Sequence, residues 1–245
     1  MTRILVSNDD GISAPGLIAL EASMLQVGEV YTVAPQAEQS AASRHITLRK
    51  PFSYRKAGER RWAVDGTPAD CAMMALTLLL DFRPDLVVSG INNGPNLGEN
   101  VYYSGTVAVA AEGAKYGIPS IAFSVDQREN IDYLPTAELA AKIARRVLDA
   151  GLEPGVALNV NVPHPSYRGL KITHQCSKIS RNVMIETRDP YGREYYWMDE
   201  KIPLEDADEG SDYAAIREGY ISITPLRFDH TAKDLIEPLR ALEAI

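Results

Sequence analysis

The stretch ILVSNDDGISAPGL, residues 4–17, decides the fold. ILVSN (4–8) reads as a strand, and two adjacent carboxylates, Asp9 and Asp10, follow it directly, with Gly11 behind them. PGLIALEASMLQ (15–26) then has the pattern of a helix, with Pro15 in its first turn and Ser13 expected as its N-cap. Two like charges side by side at the end of a buried strand are costly unless something neutralises them. The chain beyond must say what that is.

The strand–helix alternation repeats through the first two thirds of the chain. EVYTVAP (29–35), DLVVSG (85–90), IPSIAFSV (118–125) and VALNVNVP (156–163) read as strands, and ITLRKPFSYR with RWAV as a hairpin or a pair of short strands. GTPADCAMMALTLLLDF, opened by Thr67 and Pro68, TVAVAAEGAKYG, stopped by Gly117, and TAELAAKIARRVLDAG (136–151) read as helices. Continuous apolar strands separated by helices indicate a mostly parallel sheet covered on both faces. KITHQC, NVMIETRDPYGREYYWM and YISITPL then give strands and a hairpin turning at Gly192, and TAKDLIEPLRALEAI a helix offset at Pro238. The expected fold class is α/β, a Rossmann-like three-layer core over about residues 1–165. A β-rich oligomerisation appendage with a C-terminal helix follows over about 166–245, all within one domain.

Composition narrows the function. Apolar residues make up 45% and charged residues 24% of 245, as in a globular protein with a substantial core. A net charge of −8 argues against a nucleic-acid polymer or an anionic membrane as the main partner. Cys71 and Cys176 are the only cysteines and form no CxxC, which disfavours a disulfide framework and a cysteine-rich zinc site. MTRILV lacks the apolar stretch of a signal peptide and no segment has the length of a membrane span, so the chain is expected in the cytoplasm.

In a doubly wound sheet, ligands bind at the carboxyl ends of the strands. Three loops gather there: NDDGIS, PQAEQSAASRH and SGINNGPNLGENVYYSGT. For Asp9 and Asp10 two readings stand, solvent-facing residues of a turn or ligands of a divalent cation that holds both ionised. The third loop carries Asn92, Asn93, Asn96 and Asn100 among glycines, and places Ser104, Gly105 and Thr106 at the start of a small-residue helix. Free amides, the helix dipole and two hydroxyls there suit a phosphate group, although asparagine and glycine also build purely structural turns. Ser40 and an asparagine oxygen would complete an all-oxygen set with the two aspartates, which suits Mg²⁺ or Mn²⁺ rather than zinc. Arg44 either balances a phosphate or stays on the surface.

ILVSNDDGISAPGL, VAPQAEQSA, VDGTPADC, LVVSGINNGPNLGENVYYSGTVAVAAEGA and YISITPL resemble, in that order and over essentially the whole chain, the SurE family of metal-dependent nucleotidases, or survival proteins. The resemblance implies a phosphomonoesterase acting on nucleoside monophosphates with one divalent metal per subunit. It implies Asp9, Asp10, Ser40 and Asn92 as metal ligands, and Asn96, Ser104, Gly105 and Thr106 as phosphate contacts. It also implies a homodimer or homotetramer, with the late hairpin and C-terminal helix exchanged or packed between subunits. SAASRHIT departs from the pattern, because many members carry a glycine shortly after the metal-ligand serine. The expected chemistry is metal-assisted hydrolysis of nucleoside 5′-monophosphates, with 3′-monophosphates and short polyphosphate as further candidates. Water attacks phosphorus in line, and Asp9 or Asp10 orients it or takes its proton. An aspartyl-phosphate mechanism of the haloacid dehalogenase type needs DxD, which NDDG does not supply, and GxSxG is absent. A non-enzymatic nucleotide-binding module is the remaining rival.

Overall fold

The computed structural model describes residues 1–127, 130–164, 166–177, 181–201 and 207–244. The first crossover unit follows the sequence closely. Strand β1 (Arg3–Ser7) leads through helix α1 (Pro15–Met24) into β2 (Glu29–Pro35). Ser13 does not cap α1: Ala14 holds the cap position with no side-chain bond, and its N–H donates to the Gly11 carbonyl at 3.0 Å. The turn after β1 is itself closed by Asn8, whose amide accepts from the Gly11 N–H and donates to the Gly11 carbonyl. The chain therefore enters the helix already fixed.

β3 (Tyr54–Gly58) and β4 (Arg61–Val64) form a short antiparallel pair, and ITLRK of the expected hairpin stays outside it. Helix α2 (Pro68–Met74) opens on a capping box in which Thr67 and Asp70 bond each other's backbone N–H. It widens into a π-turn over Ala75–Leu79, where the sequence reads as one continuous helix. β5 (Leu86–Asn93), α3 (Gly105–Lys115), β6 (Ser120–Asp126), α4 (Leu134–Ala150) and β7 (Val156–Pro163) complete the alternation. Beyond them come β8 (Leu170–Ile172), the hairpin strands β9 (Arg181–Arg188) and β10 (Glu194–Lys201), α5 (Asp212–Arg217), β11 (Ile221–Arg227) and α6 (Lys233–Leu239).

Among the described residues nine strands form one sheet in the order β3-β4-β2-β1-β5-β6-β7-β11-β8. The six from β4 to β7 run parallel, while β3 opposes β4, and β11 with β8 opposes β7. The C-terminal third thus adds two strands to the main sheet, and β9 pairs with β10 in a separate ribbon. Alternate residues of β1 serve opposite faces. Ile4 and Val6 pack with α1 and α4, whereas Leu5 packs with Cys71 of α2 and Val109 of α3. All are fully buried, each worth about 1.5–3 kcal/mol in apolar transfer. Both faces are covered, so an unbroken apolar run is what the strand requires.

The connection from β1 goes to one side through α1, and the later return through α2 places β5 on the other side. The crevice outside the carboxyl ends of β1 and β5 is the topological switch point, where such folds bind ligands. Among the described residues no helix is long and apolar enough to cross a membrane.

Candidate active site

At that switch point a cavity of about 300 Å³ is lined by residues that include Asp9, Asp10, Ser40, Asn92, Asn96 and Ser104. The structure thereby brings together six of the eight metal and phosphate residues that the family resemblance implies; Gly105 and Thr106 lie just behind the wall. A wider groove of about 750 Å³ along α4 and β11 is apolar and lacks such a constellation.

β1 ends at Ser7, so Asp9 and Asp10 project from the turn beyond it. Asp9 is buried, and its Oδ1 accepts from the Thr106 hydroxyl. Burial pushes its carboxyl pKa up, and the Thr106 hydroxyl with the amides of Thr106 and Gly105 pulls against that. The start of α3 is therefore turned onto Asp9, and the Thr106 hydroxyl, one of the expected phosphate donors, is spent there. A Cβ on Gly105 would lie 2.6 Å from Asp9 Cβ and 2.8 Å from Pro68 Cγ, so only glycine lets the helix approach this closely. Asp10 is partly exposed. Burial, then repulsion from Asp9 and Glu38, raise its pKa to about 6 against the Asn93 amide.

Asn92 and Asn93 reach the cavity because β5 is irregular. Its register against β6 shifts between Ser89 and Asn92. Gly90 there has φ +124°, and a Cβ on it would meet the Phe123 carbonyl at 2.3 Å. The Asn92 amide nitrogen donates to the Gly94 carbonyl at 2.8 Å, which leaves Oδ1 as its acceptor for other partners. Asn96 is buried. Its amide nitrogen donates to Ser124 Oγ at 2.8 Å, its N–H to Asn161 Oδ1, and its carbonyl accepts from Asn159 and Asn161. Ser104 caps α3 by accepting from the Val107 N–H, and its own O–H remains to donate.

The loop after β2 is held on both sides. The Gln39 N–H donates to the Asp9 carbonyl at 2.8 Å, the Ser43 N–H to the Tyr103 carbonyl at 2.9 Å, and Ser43 Oγ to the Tyr102 carbonyl at 2.6 Å. Ser40 Oγ donates to Glu38 at 2.6 Å. Where the sequence lacks the expected glycine, Ala41 and Ser43 sit at φ 57° and 55°, in the left-handed region that glycine adopts freely. Arg44 faces away from this cavity and pairs at 3.2 Å with Glu112, a buried carboxylate of α3.

Several contributors carried no signal of their own. Glu38 is one acidic residue in a polar loop, yet it borders the cavity and bonds Ser40. Asn159 and Asn161 were legible in part, as two asparagines on one face of the otherwise apolar VALNVNVP. Asp212 opens α5, a helix of six residues that is too short to show a period in the sequence. Its carboxylate accepts from the N–H groups of Gly98, Cys176 and Tyr213, tying α5 to the site loop.

Among the described residues no three His, Cys, Asp or Glu side chains converge to hold a metal. A cation here would need the neutral oxygens of Ser40 and Asn92 beside the two aspartates. The donors present are all oxygens, and two adjacent carboxylates already repel each other, so a hard divalent cation fits.

Fold and site together define a Rossmann-like α/β protein with an acidic, all-oxygen cluster at the switch point of its sheet. Family comparison agrees: the model described as Survival protein SurE matches residues 4–182. The chain belongs to the SurE family. It is 48% identical to "5′-nucleotidase SurE 1" of Thermus thermophilus, over 98% of this chain and 97% of that one. It is 45% identical to "5′-nucleotidase SurE" of Deinococcus radiodurans, over 97% and 91%. The crystal structure of the SurE protein from Aquifex aeolicus superposes with a TM-score of 0.89 at 40% identity, covering 98% of this chain and 99% of that chain.

Proposed function

We propose that the chain is a 5′-nucleotidase, a phosphoric monoester hydrolase that releases phosphate from nucleoside 5′-monophosphates, with Mg²⁺ or Mn²⁺ as cofactor. The observation that carries this is the convergence of Asp9, Asp10, Ser40 and Asn92 on one cavity that Asn96 and Ser104 also line. Relatives named 5′-nucleotidase at 43–48% identity support it. Nucleoside 3′-monophosphates and short polyphosphate are further substrates of the same site, and the protein works in the cytoplasm.

In this reading Asp9, Asp10, Ser40 Oγ and Asn92 Oδ1 hold the cation. When bound, the cation supplies a Lewis acid that offsets phosphoryl charge and makes water a stronger nucleophile at neutral pH. Asn96 and the Ser104 hydroxyl orient the phosphoryl oxygens. Gly105 and Thr106 act at the phosphate end through Asp9, which their donors fix in place. Asp9 or Asp10 orients the attacking water or takes its proton.

Phosphate release from a panel of nucleoside 5′- and 3′-monophosphates with Mg²⁺ or Mn²⁺ tests the activity. Asp9→Asn is expected to lower turnover at least about 10³-fold with the circular-dichroism spectrum retained. Saturating Mn²⁺ is expected to raise the Tm of the wild type and not that of Asp9→Asn. Full activity in Asp9→Asn, or in excess chelator, refutes the reading.

The protein assembles as a homodimer or homotetramer. A two-stranded ribbon is marginal in water, yet β9–β10 exposes Tyr196, Trp197 and Met198 on its surface. Helix α6 has no buried residue, with Leu235, Ile236 and Leu239 exposed. Both are apolar surfaces that contact between subunits would cover.

A further inference from the structure

The two neutral oxygens of the proposed cation set are presented in the same way. A hydroxyl or an amide ligates a cation through an oxygen lone pair, so its hydrogens must be turned elsewhere. The Asn92 amide nitrogen is spent on the Gly94 carbonyl at 2.8 Å. The Ser40 hydroxyl is spent on Glu38 Oε1 at 2.6 Å. With its hydrogen engaged there, Ser40 Oγ keeps both lone pairs for other partners.

The backbone on either side of Glu38 sets it in that position. Gly11, at φ +102°, lets the turn after β1 close onto the Ala37–Glu38 peptide: a Cβ on it would lie 3.2 Å from the Ala37 carbonyl carbon and 3.5 Å from the Glu38 nitrogen. One residue further on, the Gln39 N–H donates to the Asp9 carbonyl at 2.8 Å. Glu38 is thus pinned at the rim of the cavity that Asp9 and Asp10 line, and its charge repels Asp10. A third carboxylate there is unfavourable in the empty site and becomes favourable beside a cation. It either ligates the cation or serves a residue that does. Among the described residues no three acidic side chains converge to hold a metal, which leaves the second role.

We propose that Glu38 is a positioning residue of the cation site: its carboxylate accepts the Ser40 O–H and so turns the lone pairs of Ser40 Oγ toward a cation held by Asp9 and Asp10. This rests on the metal-dependent reading of the site and deepens it. A charge-assisted bond to a carboxylate also makes the hydroxyl oxygen more electron-rich, as outer partners do for metal ligands generally. Asn92 needs no such helper, because the Gly94 carbonyl of its own loop already holds its amide. Ser40 is exposed and its hydroxyl would otherwise rotate freely, so Glu38 fixes the one neutral ligand that the fold leaves loose.

The test titrates Mn²⁺ by isothermal calorimetry into the metal-free chain and into Glu38→Ala, Glu38→Gln, Ser40→Ala and the double variant Glu38→Ala with Ser40→Ala. The Mn²⁺ dissociation constant is expected to rise about tenfold in Glu38→Ala, the lower end of what loss of an outer partner costs. Glu38→Gln keeps a neutral acceptor for the hydroxyl and is expected to lose about threefold. Once Ser40 is alanine, adding Glu38→Ala is expected to cost less than about twofold, because the hydroxyl through which it acts is gone. Glu38 is exposed and repels Asp10, so metal-free Glu38→Ala is expected to melt no lower than the wild type. An equal loss with and without Ser40 overturns the role, since it makes Glu38 a ligand or a general charge. A lower metal-free Tm in Glu38→Ala also overturns it, by locating the effect in folding. A wild type that binds no Mn²⁺ defeats the metal-dependent reading itself. A wild type that binds, with Glu38→Ala binding equally well, defeats the role of Glu38 alone.

Discussion

Replacing Gly105 by alanine isolates one contact on which the geometry of Asp9 depends. The new methyl carbon would sit 2.6 Å from Asp9 Cβ, 2.8 Å from Pro68 Cγ and 2.9 Å from Asp9 Oδ2, where ordinary contact begins at 3.4 Å. It is therefore short by about 0.8 Å on one side and 0.6 Å on the other. Neither neighbour yields freely. The Asp9 carbonyl is held by the Gln39 N–H, and Pro68 opens a helix locked by the Thr67–Asp70 capping box. Overpacking of this kind costs about 1–3 kcal/mol, which in a chain of this size lowers Tm by roughly 2–10 °C. Shifting a carboxylate of the proposed metal set by half an ångström or more is expected to cost turnover steeply, since a displacement of about 1 Å is worth roughly 10²-fold. A fall in kcat/KM of about 30–100-fold is expected, read by phosphate release with Mn²⁺ at saturation. Alanine keeps the Gly105 N–H, so a role limited to donating that N–H to phosphate predicts almost no loss. Activity within threefold of the wild type, with Tm within 1 °C, refutes the packing argument.

Asp10 gives a pH prediction. Its pKa is raised from 3.8 to about 6, so the folded, metal-free protein holds this proton more tightly than the unfolded chain. Stability is then lost as pH rises from about 4 to about 6 and stays lower above that. After discounting for partial exposure the loss is about 1 kcal/mol, and Asp10→Asn is expected to flatten that part of the urea-denaturation profile. Ala41→Gly is expected to raise Tm by about 1–3 °C. Relief of roughly 1–2 kcal/mol of left-handed strain outweighs the added freedom of the unfolded chain; a lower Tm in calorimetry contradicts this. Trp197→Ser with Met198→Ser is expected to reduce the assembled mass in sedimentation velocity while each protomer keeps its far-ultraviolet spectrum. An unchanged mass removes the hairpin from the interface.

Legibility tracked how local the cause was. β2 and β7 fall at the bounds their apolar runs indicate, Glu29–Pro35 and Val156–Pro163, because strands buried on both faces announce themselves in composition. Gly117 ends α3 at φ +70°, and Gly192 closes the hairpin turn at φ +82°, as the residue type requires. Where alternatives were close in energy the pattern misled. ADCAMMALTLLL shows helical character throughout, yet the register changes to a π-turn after Met74. Ser13 is a good capping residue, but the Asn8–Gly11 turn already sets the entry to α1. The six residues of α5 were too short to show a period.

The layered α/β core, the loops that meet at its carboxyl edge and the chemical types gathered there can be read from the residues alone. These follow from periodicity, turn chemistry and the cost of adjacent carboxylates, all of which act within a few residues. How those groups are used is set by the packing of the whole fold. It turns the start of α3 onto Asp9, sends Arg44 to a buried Glu112, and sets Asn159 and Asn161 to hold Asn96 from a strand more than sixty residues away. Each of these is a pairing of buried polar groups whose partners are fixed by packing, and no local pattern states which donor a buried acceptor will find. The opening pair, Asp9 and Asp10, shows the division: the sequence says that two charges must be accommodated, and the fold ties Asp9 to a helix start while both carboxylates line the cavity.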